Sequence, residues 1–218
     1  MPQPFVIAVD GSAASGKGTI AGRLAAHYGL PHMDTGLLYR AVGVGLMKSG
    51  ADLGDAATAA ALAARLDLSS LDDPALTSAS AGEAASRVAA LPAVRAALLA
   101  LQKDFAAQPS GAVLDGRDIG TVIAPAAPAK LYVDASPAVR AHRRWLQTSA
   151  RGEARTEAET LADLMRRDAR DSGRADAPLT RAADAVLLDT TEMTIEAAFD
   201  EALRHVEQAR RRWEGFQA

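Results

Sequence analysis

The chain is expected to fold as an α/β protein, with a mostly parallel sheet covered by helices on both faces, and three observations predict this. Short apolar runs alternate with longer segments of helical period, several of those runs stop at an aspartate, and a glycine-serine loop joins the first run to the first helix. Strands separated by helices return in the same direction, so they pair in parallel. The first strand is expected over 5–10, followed by the loop "GSAASGKGT" and a helix over 17–28. A short strand over 31–33 leads to a helix over 36–48. Three further helices, 55–66, 81–90 and 92–106, then follow with no strand between them, so 36–111 reads as a helical insertion. The breaks "SSLDDPAL" and "AQPSG" are turns within it. Strands at 112–115, 130–134 and 185–189 complete the set, with helices at 137–150, 156–171 and 194–213.

Bulk properties narrow the function. A chain of 218 residues can bury a sizeable core, and its length favours one domain with insertions over two. Hydrophobic content of 49% with 23% charged residues is that of a globular protein. A net charge of −3 gives no electrostatic case for a nucleic acid polymer as partner. The absence of cysteine excludes disulfides, thiolate metal sites and cysteine nucleophiles. The apolar run 5–9 is too short for a signal peptide or a membrane span, so a cytoplasmic protein without a membrane partner is expected, and a monomer.

The loop from Gly11 through Ser12, Ala13, Ala14, Ser15 and Gly16 to Lys17 has the Gly-x4-Gly-Lys spacing of a Walker A loop, in the strand-to-helix context that motif requires. Glycines let successive backbone N–H groups curl around an anion, the helix N-terminus adds its positive end, and Lys17 supplies a mobile cation. A plain Gly/Ser turn before a helix is the alternative; the spacing argues against it. Gly18 stands where the loop usually has Ser or Thr, with Thr19 one place later, so direct hydroxyl ligation of Mg²⁺ is less secure than in a switch-type nucleotide hydrolase. Ala14 occupies a place often taken by a further glycine.

Anion clamps recur beyond the loop. Arg40 in "MDTGLLYR" and Arg117 in "LDGRDIGT" are placed to grip a second phosphate, which the planar fork of arginine suits; a surface ion pair is the lesser alternative for Arg40 and weaker still for Arg117. In "LMRRDARDSGR", Arg167, Arg170 and Arg174 share one helical face with Asp171 between them. Taken alone, that is a solvated face laced with ion pairs. Beside a phosphate loop it reads as a closing lid that delivers positive charge and excludes water. Lys17, Arg117, Arg167 and Arg174 are the candidate catalytic residues. His27, His32, His142 and His205 lack metal-ligand spacing and read as structural or surface residues.

The chain resembles the bacterial cytidylate (CMP) kinases of the nucleoside monophosphate kinase family. The resemblance is carried by "IAVDGSAASGKGT", "MDTGLLYRAV", "AASRVAALPAVRAAL", "LDGRDIGTVIAPAAPAKLYVDAS", "RAHRRWLQ", "RRDARDSGRADAPL" and "AVLLDTTEMTIEAA", which together run almost end to end. It implies a P-loop kinase core with a five-stranded parallel sheet (about 1–35, 109–150 and 179–218), an acceptor-binding insert (about 36–108) and an Arg-rich lid (about 151–178). It further implies that Ser86, Arg95 and Asp118 read cytosine, that Arg167 and Asp171 touch the sugar, and that Arg40, Arg117 and Arg174 hold the acceptor phosphate, with Thr35 and Tyr39 lining the pocket. The chain departs from the family in lacking most of a small β segment between "LDLSSLDDP" and "SASAGEAASR".

The implied reaction moves the γ-phosphoryl group of ATP, held by Gly11–Thr19, to CMP or dCMP. Mg²⁺ is held mainly through nucleotide phosphates and water, so no metal ligand is assigned, although Asp115 at a strand end could organise the ion through water or anchor the acceptor loop. A GTPase switch would need an Asn-Lys-x-Asp base reader, which a chain without asparagine lacks. A kinase for AMP, UMP or a sugar acid would share the loop and lid without "AASRVAALPAVR" and "DGRDIGT". A nucleotide-binding module without catalysis is the remaining alternative.

Overall fold

The computed structural model describes residues 4–217. Five strands, β1 (Val6–Gly11), β2 (His32–Asp34), β3 (Ala112–Gly116), β4 (Ala129–Asp134) and β5 (Val186–Asp189), form one sheet in the order β2-β3-β1-β4-β5, every pair parallel. The expected α/β architecture is therefore the observed one. β1 is central, and the chain leaves it to one side through β2 and β3 and to the other through β4 and β5. That reversal opens a crevice at the carboxyl end of β1, the place where ligands bind in open parallel sheets.

Around the sheet lie α1 (Lys17–Tyr28), α2 (Thr35–Ser49), α3 (Ala56–Ala64), α4 (Ala79–Val88), α5 (Pro92–Ala106), α6 (Pro137–Ser149), α7 (Glu157–Gly173) and α8 (Ile195–Gln217). Their starts are written in short polar side chains that accept otherwise orphaned N–H groups. Asp34 caps α2 by accepting from the Gly36 N–H (2.8 Å), Ser78 caps α4, and Ser136 followed by Pro137 opens α6. Thr156 and Glu159 form a reciprocal capping box on α7. α1 and α5 have the bounds their periodicity predicts; most other ends move by one or two residues as caps take over, and α8 runs to Gln217, four residues past its expected end at 213.

The pleat sorts β1 between two cores. Val6 and Ala8 join Leu114, Leu38, Val42, Leu46 and Leu98 under α2 and α5, whereas Ile7 and Val9 join Leu131, Val133, Leu24, Ala202 and Val206 under α1 and α8. Each large side chain so buried contributes about 1.5–3 kcal/mol. Between β2 and β3 the described residues contain helices and turns and no strand, in keeping with the helical insertion. "SSLDDPAL" is two short 3-10 turns, Leu68–Asp72 and Pro74–Thr77, each begun by an aspartate cap. After β3 the chain makes a single π turn, Ile119–Ile123, which the sequence pattern did not predict. Among the described residues no single helix is long and apolar enough to cross a membrane; α4 and α5 reach that composition only as a pair bent by 99°.

Candidate active site

The loop of residues 11–19 leaves the carboxyl end of β1 and becomes the N-terminus of α1. Gly16 caps the helix at φ 92°, in the left-handed region that glycine enters without a steric cost. Ala14 sits there too, at φ 60°, and packs with Ala13 against Ala141, Leu161 and Leu164 of α6 and α7. That contact offsets the roughly 1–2 kcal/mol a Cβ costs in this conformation. Gly11 is fixed by a different constraint: a Cβ on it would lie 1.9 Å from the Val133 carbonyl oxygen of β4.

Polar ties hold the loop from below. Ser12 Oγ donates to Asp134, Thr190 Oγ1 donates to the Ser15 carbonyl (3.0 Å), and Lys17 Nζ reaches back to the Ser12 carbonyl (3.3 Å). Ala13, Ala14, Gly16, Lys17, Gly18 and Thr19 line a cleft of about 320 Å³. Gly11, Ser12 and Ser15 do not line it; they lie buried underneath, where they shape the loop.

The opposite wall brings together every expected acceptor contact. Thr35, Tyr39 and Arg40 come from α2, Ser86 and Arg95 from α4 and α5, Arg117 and Asp118 from the segment after β3, and Arg167, Asp171 and Arg174 from α7 and its C-cap. Asp171 is the hub: Ser86 Oγ donates to it at 3.1 Å and Arg117 Nε at 3.0 Å, while Arg167 Nε stands 3.9 Å away. Arg95 pairs with Asp118, both buried, and lies 5.8 Å from the centre of the Tyr39 ring. Thr35 Oγ1 donates to the Asp115 carbonyl (2.8 Å). Arg40 Nη1 donates to the Leu76 carbonyl at 2.6 Å. Its Nη2 and Arg167 Nη1 converge over Gly82, where a methyl group would meet them at 3.3 and 3.4 Å.

The cleft is overfilled with positive charge. Burial, with the Arg117 charge beside it, lowers the Lys17 amine to about 7; burial and Arg117 lower Arg167 to about 9, and burial and Arg144 lower Arg40 to about 10. Asp171 goes the other way from its burial, because Arg117 and Arg167 hold its carboxyl below the usual range. Burial outweighs Arg95 and raises Asp118. Asp34, in register with Asp115 on the neighbouring strand, is raised by burial and then by the Asp115 charge. The Nε atoms of Arg167 and Arg174 are buried without a hydrogen-bond partner among the described residues.

Some residues of the site escaped the sequence pattern. Asp10 is buried, and its two carboxylate oxygens accept the Ile119 and Gly120 N–H groups at 2.7 Å each, which sets the turn that carries Arg117 and Asp118. Burial raises its carboxyl to about 6. Arg140, also buried, joins three elements: Nε donates to the Ala135 carbonyl (2.9 Å), and Nη1 to the Ala13 carbonyl (3.3 Å) and to Asp168 of α7 (2.7 Å). Asp34, Arg144 and Gln147 also line the cleft. A strand-terminal aspartate was the available signal for Asp10 and Asp34; the charged helix α6 offered none for Arg140 or Arg144. His32, read as structural, hydrogen-bonds Asp115 at 2.8 Å. Outside the cleft's lining, Arg170 of α7 pairs with Glu83 of α4 (2.8 Å), and the Ala79 N–H donates to Glu153 (3.2 Å).

Comparison with known proteins accords with this geometry. Among solved structures, a gluconokinase from Sinorhizobium meliloti 1021 superposes with a TM-score of 0.52 at 17% identity, covering 100% of this chain and 99% of that one; at such identity the likeness speaks to the fold alone. A cytidylate kinase of Caulobacter vibrioides (strain NA1000 / CB15N) is 64% identical over 208 residues, 95% of this chain and 98% of the relative. One of Rhodopseudomonas palustris (strain BisA53) is 58% identical over 206 residues, 94% of this chain and 98% of the relative. The cytidylate kinase family model matches residues 7–208, so nearly every contact described above falls inside the matched region, and the chain belongs to the cytidylate kinase family.

Proposed function

We infer that the chain transfers the terminal phosphoryl group of ATP to CMP or dCMP. The observation that carries this is the cleft's crowded positive charge: Lys17, Arg40, Arg117, Arg144 and Arg167 face one space, in which burial and then the neighbouring arginines lower Lys17, Arg40 and Arg167, so a ligand bearing several phosphates is what relieves them. Beside them, Ser86, Arg95 and Asp118 with the Tyr39 ring supply a flat, polar pocket, and a carboxylate can accept the exocyclic amine of cytosine while a guanidinium donates to its N3 and O2. A sugar acid would have no use for that pocket.

The loop and Lys17 hold the donor, while Arg40, Arg117 and Arg174 align the acceptor phosphate, whose oxygen is already ionised and attacks in line. No general base is required. Positioning and charge neutralisation carry the rate, and positioning alone reaches effective molarities of about 10⁵ M or more. The segment 151–178, acting as a lid, keeps water from competing. Asp34 and Asp115 put two carboxylates at adjacent strand ends, with Asp115 Oδ2 3.7 Å from where a Cβ on Gly18 would lie, a donor set suited to Mg²⁺ held through water and nucleotide phosphates. When bound, the ion would neutralise charge on the donor's outer phosphates. The setting proposed is a cytoplasmic monomer.

ADP release measured with CMP, dCMP, UMP, AMP and gluconate tests the reading. The two cytidine nucleotides are expected to lead; a preference for AMP or gluconate overturns it. A second result is expected from calorimetry in buffers of different ionisation enthalpy. Phosphates beside Lys17 raise its pKa from about 7 toward the ordinary lysine value, so at about pH 8 donor binding takes up most of one proton. Proton release, or none, contradicts the placement of Lys17 against the donor.

A further inference from the structure

We propose that Asp176, in the turn that follows α7, is a specificity-determining positioning residue: it fixes the base-reading arginine, Arg95, from the lid side. The inference rests on the assignment of Arg95 to the base under Proposed function. Arg95 is 7% exposed and has two carboxylate neighbours. Asp118 takes Nη2 from the sheet side, and Asp176 Oδ2 stands 3.5 Å from Nε. Among the described residues Nη1 makes no hydrogen bond, and Arg95 lines the cleft. Nη2 is hydrogen-bonded to Asp118 and Nε faces the Asp176 carboxylate at ion-pair distance, which together bias the plane of the guanidinium, so the donor left for the base favours one direction.

The turn is built to present that carboxylate. Ala177, the next residue, is buried and held at φ 48°, a left-handed conformation that disfavours any residue with a Cβ. Its carbonyl accepts from Arg174 Nη2 at 2.7 Å, and the Leu179 N–H donates to the Asp171 carbonyl at 2.9 Å, closing the turn on α7. A strained residue pinned on both sides marks a place where geometry serves something other than the fold. Here it orients Asp176 toward an arginine on α5, more than eighty positions earlier. Asp176 itself is 57% exposed, so it adds little to stability. Its consequence is directional: with the lid displaced, Arg95 keeps only Asp118 and loses its fixed plane, so discrimination between bases belongs to the closed protein.

The test is Asp176→Ala, Asp176→Asn and Asp176→Glu in the full chain, assayed with CMP and UMP at saturating ATP, with thermal melts to verify folding. Asp176→Ala and Asp176→Asn are expected to raise KM for CMP about 3- to 5-fold, to leave kcat within about 2-fold, and to lower the CMP-over-UMP ratio of kcat/KM about 3-fold, the size expected for one partly exposed ion pair. Asp176→Glu, which keeps the charge, is expected to recover most of both losses. An unchanged KM for CMP with an unchanged ratio overturns the proposal, as does a fall in kcat alone. Wild-type protein that treats CMP and UMP alike would instead remove the base-reading assignment itself, whatever the variants do.

Discussion

Replacing Lys17 by alanine is expected to lower kcat/KM for CMP phosphorylation by about 10³-fold, with no detectable fall in stability. Among the described residues it is the one lysine lining the cleft, and under the proposed function it is the cation the loop delivers to the donor's outer phosphates. Arginine is not expected to rescue it, since a planar fork cannot replace a compact ammonium inside a closed loop. In the empty protein the same amine is a burden: burial and Arg117 lower it from 10.5 to about 7, so folding disfavours its charged form. Removing it relieves a penalty that is full below about pH 7 and fades as pH rises toward 10.5. Melting curves at neutral pH should therefore place Tm of Lys17→Ala at or above wild type, while the rise in Tm on adding ATP is lost. Phosphoryl transfer that survives the change would sink the mechanism.

The second large effect is expected at Arg167. Arg167→Ala should reduce kcat about 10²- to 10³-fold while KM for CMP moves less than about tenfold, and Arg167→Lys should recover little. Its guanidinium lies among Arg40, Arg117 and Asp171, with a buried Nε that has no hydrogen-bond partner among the described residues. A group held charged and under-satisfied in that way is stabilised most when negative charge develops beside it, which is the transition state rather than the bound ground state. Steady-state kinetics at saturating ATP distinguish the cases: a rise in KM with kcat intact would make Arg167 a binding residue only.

What could be read from the sequence is what backbone geometry and periodicity dictate. Gly16 and Lys17 announce the loop because the chain must turn left-handed there before a helix, and α7 shows in its helical period. Contacts made only by tertiary folding were silent. Ser86 meets Asp171 across eighty-five positions, and only the family resemblance pointed to it. The turn Ile119–Ile123 had no signal in "IGTVI", because what shapes it is Asp10, which captures its first N–H groups from β1. Arg140 is one of many arginines on a charged helix until the fold buries it against Ala13 and Asp168. Gly11 was assigned to the nucleotide because of its place in a motif; the Val133 carbonyl is what excludes a side chain there.

Two ion pairs, only two residues apart along α7, hold it to its neighbours with unequal strength. Arg140 is enclosed and paired with Asp168, and breaking such a pair costs about 3–5 kcal/mol. Arg170 and Glu83 are an exposed couple of the kind usually worth under about 1 kcal/mol. Because Arg140 Nη1 also donates to the Ala13 carbonyl, the stronger of the two ties α7 to the donor loop itself. Any displacement of α7 between one turnover and the next would therefore tug on the cradle that grips the donor.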